Sequence, residues 1–229
     1  MRLKDKVAII TGGSRGIGFA TADAFLREGA KVAVAASSEK NAEAAVEKLK
    51  AIHPDAEVVG ISPNLGSFES VKEEFDKVEK QFGRIDILVN NAGVSESTPF
   101  TSYTEADFDR VIDLNVKGVF NATRAVVDGM IKNHSGVVLN TSSMVSISGQ
   151  PSGFAYPASK FAVNGTTISL AREAWAKRNP CQCSCSGNYG NRHDESRSEK
   201  RDRADDRTDS ASQTRTAGRH CKCICISCI

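Results

Sequence analysis

A glycine-rich turn that follows a short apolar run is the feature that most restricts the fold of this chain. Residues 7–10 (VAII) have the length and apolar character of a buried strand, and an amphipathic stretch over 17–27 predicts a helix. The turn between them reads TGGSRGIG. Its glycines, Gly12, Gly16 and Gly18, allow a tight turn, a close approach of backbone to a pyrophosphate and packing of helix on strand. The sequence therefore predicts a nucleotide-binding unit at this point.

Apolar runs and amphipathic stretches continue to alternate after this first unit. Strands that are apolar throughout are typical of a parallel sheet covered by helices on both faces. With right-handed crossovers, such a chain forms an α/β, doubly wound, Rossmann-type sheet. We predict strands at 7–10, 31–35, 57–61, 85–89 and 136–141, and helices at 17–27, 41–52, 71–82, 105–132 and 155–173.

Composition divides the chain after Glu173. All seven cysteines follow this residue, and Val, Leu, Ile, Met and Phe are absent between Arg172 and Cys223. Lys and Arg number 19 against 21 Asp and Glu up to Glu173, and 11 against 7 after it. Residues 1–173 therefore carry no excess of basic groups that would favour nucleic acid. We predict a dinucleotide-binding and catalytic domain over 1–173 and a separate segment over 174–229.

The end of the second strand predicts which cofactor the domain prefers. An acidic residue there would bond a ribose 2′-hydroxyl and repel a phosphate, whereas this chain has Ser37 and Ser38. A serine hydroxyl can donate to a phosphate, and Arg15 in the glycine turn can supply positive charge. This pattern favours NADP(H) over NAD(H), although Glu39 follows closely and Arg15 has the alternative of a solvated surface residue.

Small and amide residues follow the next two strands. The NNAG sequence at 90–93 places Asn91, Ala92 and Gly93 where a backbone packs against the adenine ribose. Asn64 follows the third strand, where its side-chain oxygen could accept from the adenine amino group. Each of these residues has an alternative interpretation as a turn former.

Tyr156 and Lys160 are spaced to place a phenol and an ammonium on one face of a helix. A tyrosine acts as an acid or base near neutral pH only when its phenolate is stabilised, and a nearby ammonium provides that stabilisation. Pro157 fits the first turn of such a helix, where a missing N–H is tolerated. The spacing alone is also that of an ordinary helix start with a solvated lysine.

Taken together, the motifs resemble the short-chain dehydrogenase/reductase family. The resemblance covers residues 1–173 and rests on the glycine turn at 11–18, NNAG at 90–93, Asn115, Ser143 and the Tyr156–Lys160 pair. Asn64 departs from the aspartate that is usual in the family. The resemblance implies an NAD(P)-dependent enzyme acting on CH–OH groups.

The family's catalytic chemistry is carried by four residues. The resemblance implies that Tyr156 is the general acid/base at the carbonyl oxygen and that Ser143 holds this oxygen. Lys160 would stabilise the Tyr156 phenolate and bond the nicotinamide ribose, while Asn115 would anchor a water of the proton relay. The implied cofactor-binding set is Gly12, Ser14, Arg15, Gly16, Ile17, Gly18, Ser37, Ser38, Asn64, Leu65, Asn91, Ala92, Gly93, Tyr156 and Lys160.

Two substrate classes compete among similar proteins. The stretches at 13–20, 116–121 and 156–160 look like those of bacterial bile-acid hydroxysteroid dehydrogenases. The alternative is a 3-oxoacyl-carrier-protein reductase, which meets an acidic carrier protein through basic groups. Such reductases typically carry an arginine on the long helix where this chain has Asp128. We therefore favour a bulky apolar alcohol or ketone, a hydroxysteroid or bile acid of lipid metabolism.

Residues 174–229 admit three interpretations. The CxCxC patterns at 181–185 and 221–225 suggest metal binding, but zinc ligands are usually spaced as CxxC or wider, and we predict no metal site. The polar composition predicts disorder. A frameshift accounts for the abrupt change in composition after Glu173. If the gene is read one base further along after the Glu173 codon, permitted codons can encode LGQNGIRVNA followed by VAPGITETDMM. This recovered sequence resembles the family's sixth strand and substrate lid.

Loss of this C-terminal part has a structural consequence. After residue 141, apolar residues are concentrated in the predicted helix at 155–173. We therefore expect the sixth and seventh strands of the sheet to be absent. The strand at 136–141 would then be an exposed edge prone to aggregation. A non-enzymatic alternative follows, namely an inactive nucleotide-binding module.

The remaining expectations concern location and partners. No apolar run approaches the length of a membrane span, and MRLKD leads directly into a strand rather than a signal sequence. We expect a cytoplasmic protein that binds a small-molecule substrate and neither nucleic acid nor membrane. Its assembly would be a homo-tetramer or dimer if the frame is restored.

Overall fold

The central sheet is parallel and has helices on both faces. The computed structural model describes residues 1–176 and 182–186. The strands are β1 (Val7–Thr11), β2 (Lys31–Ala35), β3 (Val58–Ile61), β4 (Ile87–Asn90), β5 (Val137–Thr141) and β6 (Gln182–Ser186). They lie in the order β3-β2-β1-β4-β5-β6, and every neighbouring pair is parallel. The predicted doubly wound, Rossmann-type fold is confirmed.

Helices connect the strands as the amphipathic stretches predict. They are α1 (Gly16–Arg27), α2 (Glu39–Ile52), α3 (Phe68–Phe82), α4 (Glu105–Ile112), α5 (Gly118–Lys132), α6 (Val145–Ser148) and α7 (Ala155–Ala176). A short 3₁₀ turn covers Phe100–Ser102. No described helix combines the length and the apolar character that a bilayer crossing requires.

The alternating side chains of the strands build two cores. On β1, Val7 and Ile9 join the core that contains Phe75 of α3, whereas Ala8 and Ile10 join the core that contains Leu49 of α2. All five residues of β1 are buried. Because both faces of this strand are covered, the strand shows an apolar run rather than an alternation of apolar and polar residues.

The helix predicted over 105–132 is not one continuous α-helix. A single π-helical turn, Asp113–Lys117, separates α4 from α5. Apolar periodicity runs across this turn, so the sequence gives no sign of the extra residue in it. Such turns are frequent at functional sites, and this one carries Asn115.

The expectation that the sixth strand is absent is wrong. Residues 182–186 form β6, which pairs with β5 in parallel from Val137↔Gln182 to Thr141↔Ser186. β5 is therefore not an edge strand in the described part of the chain. Main-chain pairing needs no apolar side chains, which is why the polar sequence QCSCS gave no strand signal. The expectation about a seventh strand concerns residues outside the described part of the chain. Neither CxCxC pattern lies wholly within the described residues.

Candidate active site

A cleft of about 800 Å³ opens at the carboxyl ends of the strands. It lies where β2 and β4 flank β1, the point at which the strand order reverses and where open α/β sheets bind ligands. Most of the predicted site residues line it: Gly12, Ser14, Arg15, Gly16, Ile17, Ser37, Asn64, Leu65, Asn91, Ala92, Gly93, Tyr156 and Lys160. Four predicted site residues do not line the cleft, and their positions are described below: Gly18, Ser38, Asn115 and Ser143.

The glycine turn packs directly against the NNAG turn. Gly12 has φ +65°, and a Cβ there would lie 2.9 Å from Ala92 Cα. A Cβ on Gly18 would lie 2.3 Å from the Gly12 carbonyl oxygen and 2.6 Å from Asn91 Nδ2. Gly18 therefore does not face the cleft; its missing side chain lets α1 start against the turn.

Asn91 and Thr11 hold this arrangement through main-chain atoms. The Asn91 Nδ2 donates to the carbonyl oxygens of Thr11 and Gly12, both at 3.1 Å. The Thr11 Oγ1 accepts from the N–H groups of Asn91 (3.0 Å) and Ala92 (3.1 Å). The amide of Asn91 thus fixes the turn in place, and α1 presents its N-terminus to the cleft, a position that favours an anion.

The end of the cleft near β2 is cationic. The charged side chains in the described lining are Arg15 and Lys48 at this end and Lys160 at the far end, and none of the lining residues is acidic. Ser37 also lies here and accepts from Asn41 Nδ2 (3.4 Å). Ser38 instead caps α2, because its hydroxyl accepts from the Asn41 N–H (3.3 Å), and Glu39 lies in the first turn of that helix outside the lining.

Asn64 takes part in a turn of its own. Its side-chain Oδ1 accepts from the Gly66 N–H at 3.0 Å, and its N–H donates to Ser70 Oγ at 3.0 Å. The turn-forming interpretation of Asn64 therefore has direct support. Leu65 is held beside it, since its carbonyl oxygen accepts from Asn121 Nδ2 at 2.8 Å.

Tyr156 and Lys160 lie together at the far end of the cleft. Tyr156 is the second residue of α7, and the Lys160 Nζ is 5.7 Å from the centroid of its ring. Lys160 is only 5 % exposed, and its Nζ donates to the carbonyl oxygen of Thr141 at the end of β5 (2.8 Å). The predicted pairing of phenol and ammonium on one helical face is present in the structure.

Asn115 connects three segments near this pair. Its Oδ1 accepts from the Val94 N–H (2.9 Å), and its Nδ2 donates to the Val94 carbonyl oxygen (2.9 Å) and to Ser159 Oγ (3.0 Å). The side chain is 1 % exposed. Both N–H groups of the amide are used within the protein, so the Asn115 side chain joins the π turn to the loop after β4 and to α7.

Ser143 lies just outside the cleft lining, and its neighbour Ser142 lies inside it. The Ser143 Oγ accepts from the Val145 N–H (3.4 Å), and its carbonyl oxygen accepts from Ser146 Oγ (2.6 Å). These bonds hold Ser143 at the start of α6. The structure thus places Tyr156, Lys160 and Asn115 close together, with Ser143 at the margin of the group.

Comparison with known proteins agrees with this geometry. Residues 6–202 match the profile described as short chain dehydrogenase. The chain belongs to the short-chain dehydrogenase family. It is accordingly an oxidoreductase that acts on hydroxyl and keto groups.

Two relatives of this short-chain dehydrogenase carry names that refer to different substrates. The chain is 52% identical over 173 residues to a 3alpha-hydroxysteroid dehydrogenase of Mediterraneibacter gnavus, covering 76% of this chain and 69% of the relative. It is 40% identical over 173 residues to the 3-oxoacyl-(acyl-carrier-protein) reductase FabG of Thermotoga maritima, covering 76% and 70%.

Solved structures share the fold over most of the chain. Levodione reductase has a TM-score of 0.77 at 34% identity and covers 81% of this chain and 72% of that one. A metagenomic short-chain oxidoreductase in complex with NADP has a TM-score of 0.76 at 29% identity, with coverage of 83% and 85%.

Sequence reasoning missed two residues of this dehydrogenase's cleft that bear on ligand binding. Lys48 lines the cleft with Asn41, Ala44 and Ala45. Their spacing along α2 is that of one helical face, which is the signal that could have identified Lys48. Ser142 lines the cleft beside Ser143, which the resemblance selects by its position thirteen residues before Tyr156.

Proposed function

We propose that this dehydrogenase interconverts a secondary alcohol and a ketone on a bulky apolar substrate of the hydroxysteroid or bile-acid class, with NADP(H) as cofactor. The observation that carries the proposal is a cleft that is cationic near β2 and ends at the Tyr156–Lys160 pair. Its experimental test is the oxidation of a 3α-hydroxy bile acid by NADP⁺, followed as absorbance of the reduced cofactor.

The residues of the cleft fit a dinucleotide. The main-chain contact between the glycine turn and the NNAG turn leaves the N-terminus of α1 open to a pyrophosphate. Arg15, Ser37 and Lys48 would hold a 2′-phosphate, and no acidic residue in the described lining opposes it. The structural neighbour in complex with NADP supports this preference. When bound, the nicotinamide supplies or accepts the hydride.

The catalytic residues act on the proton and on the substrate oxygen. In reduction, the Tyr156 hydroxyl would give its proton to the carbonyl oxygen; in oxidation, the phenolate would take the proton of the alcohol. The buried Lys160 ammonium lies 5.7 Å from the centroid of the Tyr156 ring, on the same face of α7. The Ser143 hydroxyl would donate to the same substrate oxygen, and the contacts of Asn115 would keep α7 against the loop after β4.

An apolar surface beside Tyr156 supports a bulky substrate. Phe100 and Phe154 contact each other with ring centroids 5.1 Å apart, yet they are 70% and 52% exposed. Phe154 lies two residues before Tyr156, and Phe100 belongs to the chain that follows the NNAG turn. The segments that carry these rings also contribute Val94, Ser95 and Ser142 to the cleft lining, and exposed rings on them suit a molecule that is apolar over most of its surface.

A 3-oxoacyl-carrier-protein reductase is the second candidate, favoured by the FabG relative. Its carrier protein would require unpaired basic groups on the long helix. Arg124 on α5 instead forms an ion pair with Asp128 (2.6 Å). Turnover of acetoacetyl thioesters without turnover of oxo-bile acids would favour this candidate over the hydroxysteroid proposal.

We further propose that residues 174–229 arise from a shifted reading frame. The match to the 3alpha-hydroxysteroid dehydrogenase covers 173 residues, while only 69% of that relative is covered. Sequencing the gene across the Glu173 codon, together with the intact mass of the purified protein, tests this. An unshifted gene encoding the cysteine-containing segment would contradict it.

We propose a homo-oligomer as well. Phe120 on α5 and Phe161 and Ile168 on α7 are 63%, 51% and 53% exposed, and such side chains are commonly covered by another subunit. Light scattering of the purified protein provides the test, and a monomer at micromolar concentration would contradict the proposal.

A further inference from the structure

Helix α7 carries Tyr156 but has no N-terminal cap in its own sequence. The first four N–H groups of a helix lack partners within the helix and need acceptors from elsewhere. The usual acceptor is a Ser, Thr, Asp or Asn just before the helix. Here that position is Phe154, whose side chain accepts no hydrogen bond, and Pro157 in the first turn contributes no N–H.

A carboxylate from a distant loop takes this place. The N–H of Tyr156 donates to Oε1 of Glu96 (3.4 Å), sixty residues earlier in the chain. The other oxygen, Oε2, accepts from the Thr98 N–H at 3.1 Å. One carboxylate therefore holds both its own loop and the second residue of α7, where a negative charge also suits the helix dipole.

The main chain around Glu96 is joined to the segment that leads into α7. The Gln150 Nε2 donates to the carbonyl oxygens of Glu96 (3.2 Å) and Gly153 (2.8 Å). The Gly153 N–H donates to the Thr98 carbonyl oxygen at 3.0 Å. Gly153 has φ +85°, and a Cβ on it would lie 2.1 Å from the Glu96 carbonyl oxygen. The two segments are thus in direct main-chain contact.

Tyr103 completes the surroundings of the carboxylate. Burial raises the pKa of the Tyr103 phenol above its ordinary value, and the neighbouring Glu96 carboxylate raises this pKa further. The Tyr103 hydroxyl also lies 3.5 Å from the Asp107 carbonyl oxygen. The half-buried Glu96 side chain therefore lies between the chain near Tyr103 and the start of α7.

We propose that Glu96 is a positioning residue that caps α7 from outside and so fixes Tyr156 relative to the substrate oxygen. The proposal rests on the proposed role of Tyr156 as acid/base. Glu96 does not touch the reacting atoms; it acts through the main chain of the residue that does. A displacement of Tyr156 by a fraction of an ångström would reduce turnover while the cofactor cleft, built by other residues, remains.

The test compares two variants of the full-length protein, Glu96→Ala and Glu73→Ala. Glu73→Ala is the matched control, because it removes an exposed glutamate on α3. Hydrogen exchange of the Tyr156 amide and steady-state kinetics are measured for both. We expect exchange at Tyr156 to rise about fivefold to tenfold in E96A, the effect of one lost hydrogen bond. We also expect kcat to fall about 10-fold to 100-fold through misplacement of the reacting group, with the cofactor KM little changed.

A conservative variant separates capping from other roles. Glu96→Gln keeps one acceptor oxygen and should lie between wild type and E96A. It also serves as the informative variant if E96A does not fold.

The outcomes distinguish this proposal from the proposed function. Unchanged exchange at Tyr156 in E96A, faster exchange without loss of kcat, or a kcat of E96Q below that of E96A would each overturn the positioning role. A change confined to the substrate KM would also overturn it, because Glu96 would then be a substrate contact. Absence of turnover in folded wild type would instead refute the proposed function, while amide exchange would still decide whether Glu96 caps α7.

Discussion

The two halves of the cleft are built differently. The cofactor half, formed by the turns at 11–18 and 90–93, is held by main-chain contacts so close that a Cβ at Gly18 has no room. The proposed substrate half is bordered by the loops at 94–103 and 142–154, which carry exposed apolar side chains such as Phe100 and Ile147. Close backbone packing restricts residue choice strongly, whereas an exposed apolar wall does not. This difference explains why the cofactor class and the chemistry can be predicted from the sequence more firmly than the substrate.

The largest expected effect is on the chemistry where the two halves meet. Tyr156→Phe removes the acid/base hydroxyl and should reduce turnover about 10²-fold to 10⁴-fold. Affinity for the cofactor should change far less, because the glycine turn and α1 are untouched. Steady-state rates and cofactor titration check this, with thermal unfolding as the control for folding. Turnover near the wild-type rate would contradict the assigned role.

The next variant tests the close packing of the cofactor half. Gly18→Ala places a methyl group 2.3 Å from the Gly12 carbonyl oxygen, which should weaken cofactor binding and lower the free energy of unfolding by about 1–3 kcal/mol. Gly129→Ala is the matched control, since the atom nearest to its Cβ position on α5 is Glu79 Oε1 at 4.0 Å. G129A should be neutral or stabilising by about 0.5–1 kcal/mol. Equal behaviour of the two variants in chemical denaturation would contradict the comparison.

The third prediction concerns the preference for NADP(H) over NAD(H) at the cationic end of the cleft. Arg15→Ala should reduce the preference for NADP(H) over NAD(H) about tenfold, as expected for one charge-assisted hydrogen bond of about 1.5 kcal/mol. Arg27→Ala, at the other end of α1 and paired with Asp23 (2.7 Å), is the control. The ratio of kcat/KM for the two cofactors is the measurement. A preference that R15A leaves intact would remove Arg15 from phosphate recognition.

The smallest kinetic effect is expected at the opposite end of the sheet. Asp86 is 4% exposed and accepts from the Val7 N–H (3.0 Å). Its burial raises the pKa of this carboxyl, but hydrogen bonds from Arg84 and Val7 and the charge of Lys6 outweigh burial, so the pKa is lowered overall. Asp86→Asn should lower the free energy of unfolding by about 1–2 kcal/mol at pH 7 and leave kcat unchanged.

The pH dependence of this stability has a definite sign. Because the pKa of Asp86 is lower in the folded protein, its contribution is present above the unfolded value of about 3.9 and is lost as pH falls through the folded value. The difference in melting temperature between wild type and D86N should therefore shrink below about pH 4. A constant difference across this range would contradict the account.

Much of the fold followed from local patterns, and the exceptions have physical causes. The five apolar strands and their helices were predicted because burial on both faces leaves continuous apolar runs. The π turn at Asp113–Lys117 was missed because apolar periodicity continues through it. β6 was missed because main-chain pairing to β5 does not depend on the polar side chains of its sequence.

The candidate site likewise contains residues that local sequence motifs predicted and residues that only three-dimensional packing brings to the cleft. Gly12 and Asn91 were found in the cleft because each belongs to a short motif that directly follows a buried strand. Lys48 and Glu96 were not predicted, since their positions depend on how α2 and the loop after β4 pack in three dimensions. Ser143 was selected through the family motif, and the structure adds the neighbouring Ser142 to the cleft lining.

The central claim is that the Tyr156–Lys160 pair and the cationic cleft form an NADP(H)-dependent site for a hydroxysteroid. The direct measurement is absorbance of reduced cofactor when the purified full-length protein is mixed with NADP⁺ and a 3α-hydroxy bile acid. Acetoacetyl thioester with NADPH is assayed in parallel. We predict steady formation of NADPH with the bile acid and slow or no reaction of the thioester. A folded protein that binds NADPH but leaves the bile acid unoxidised would contradict the account.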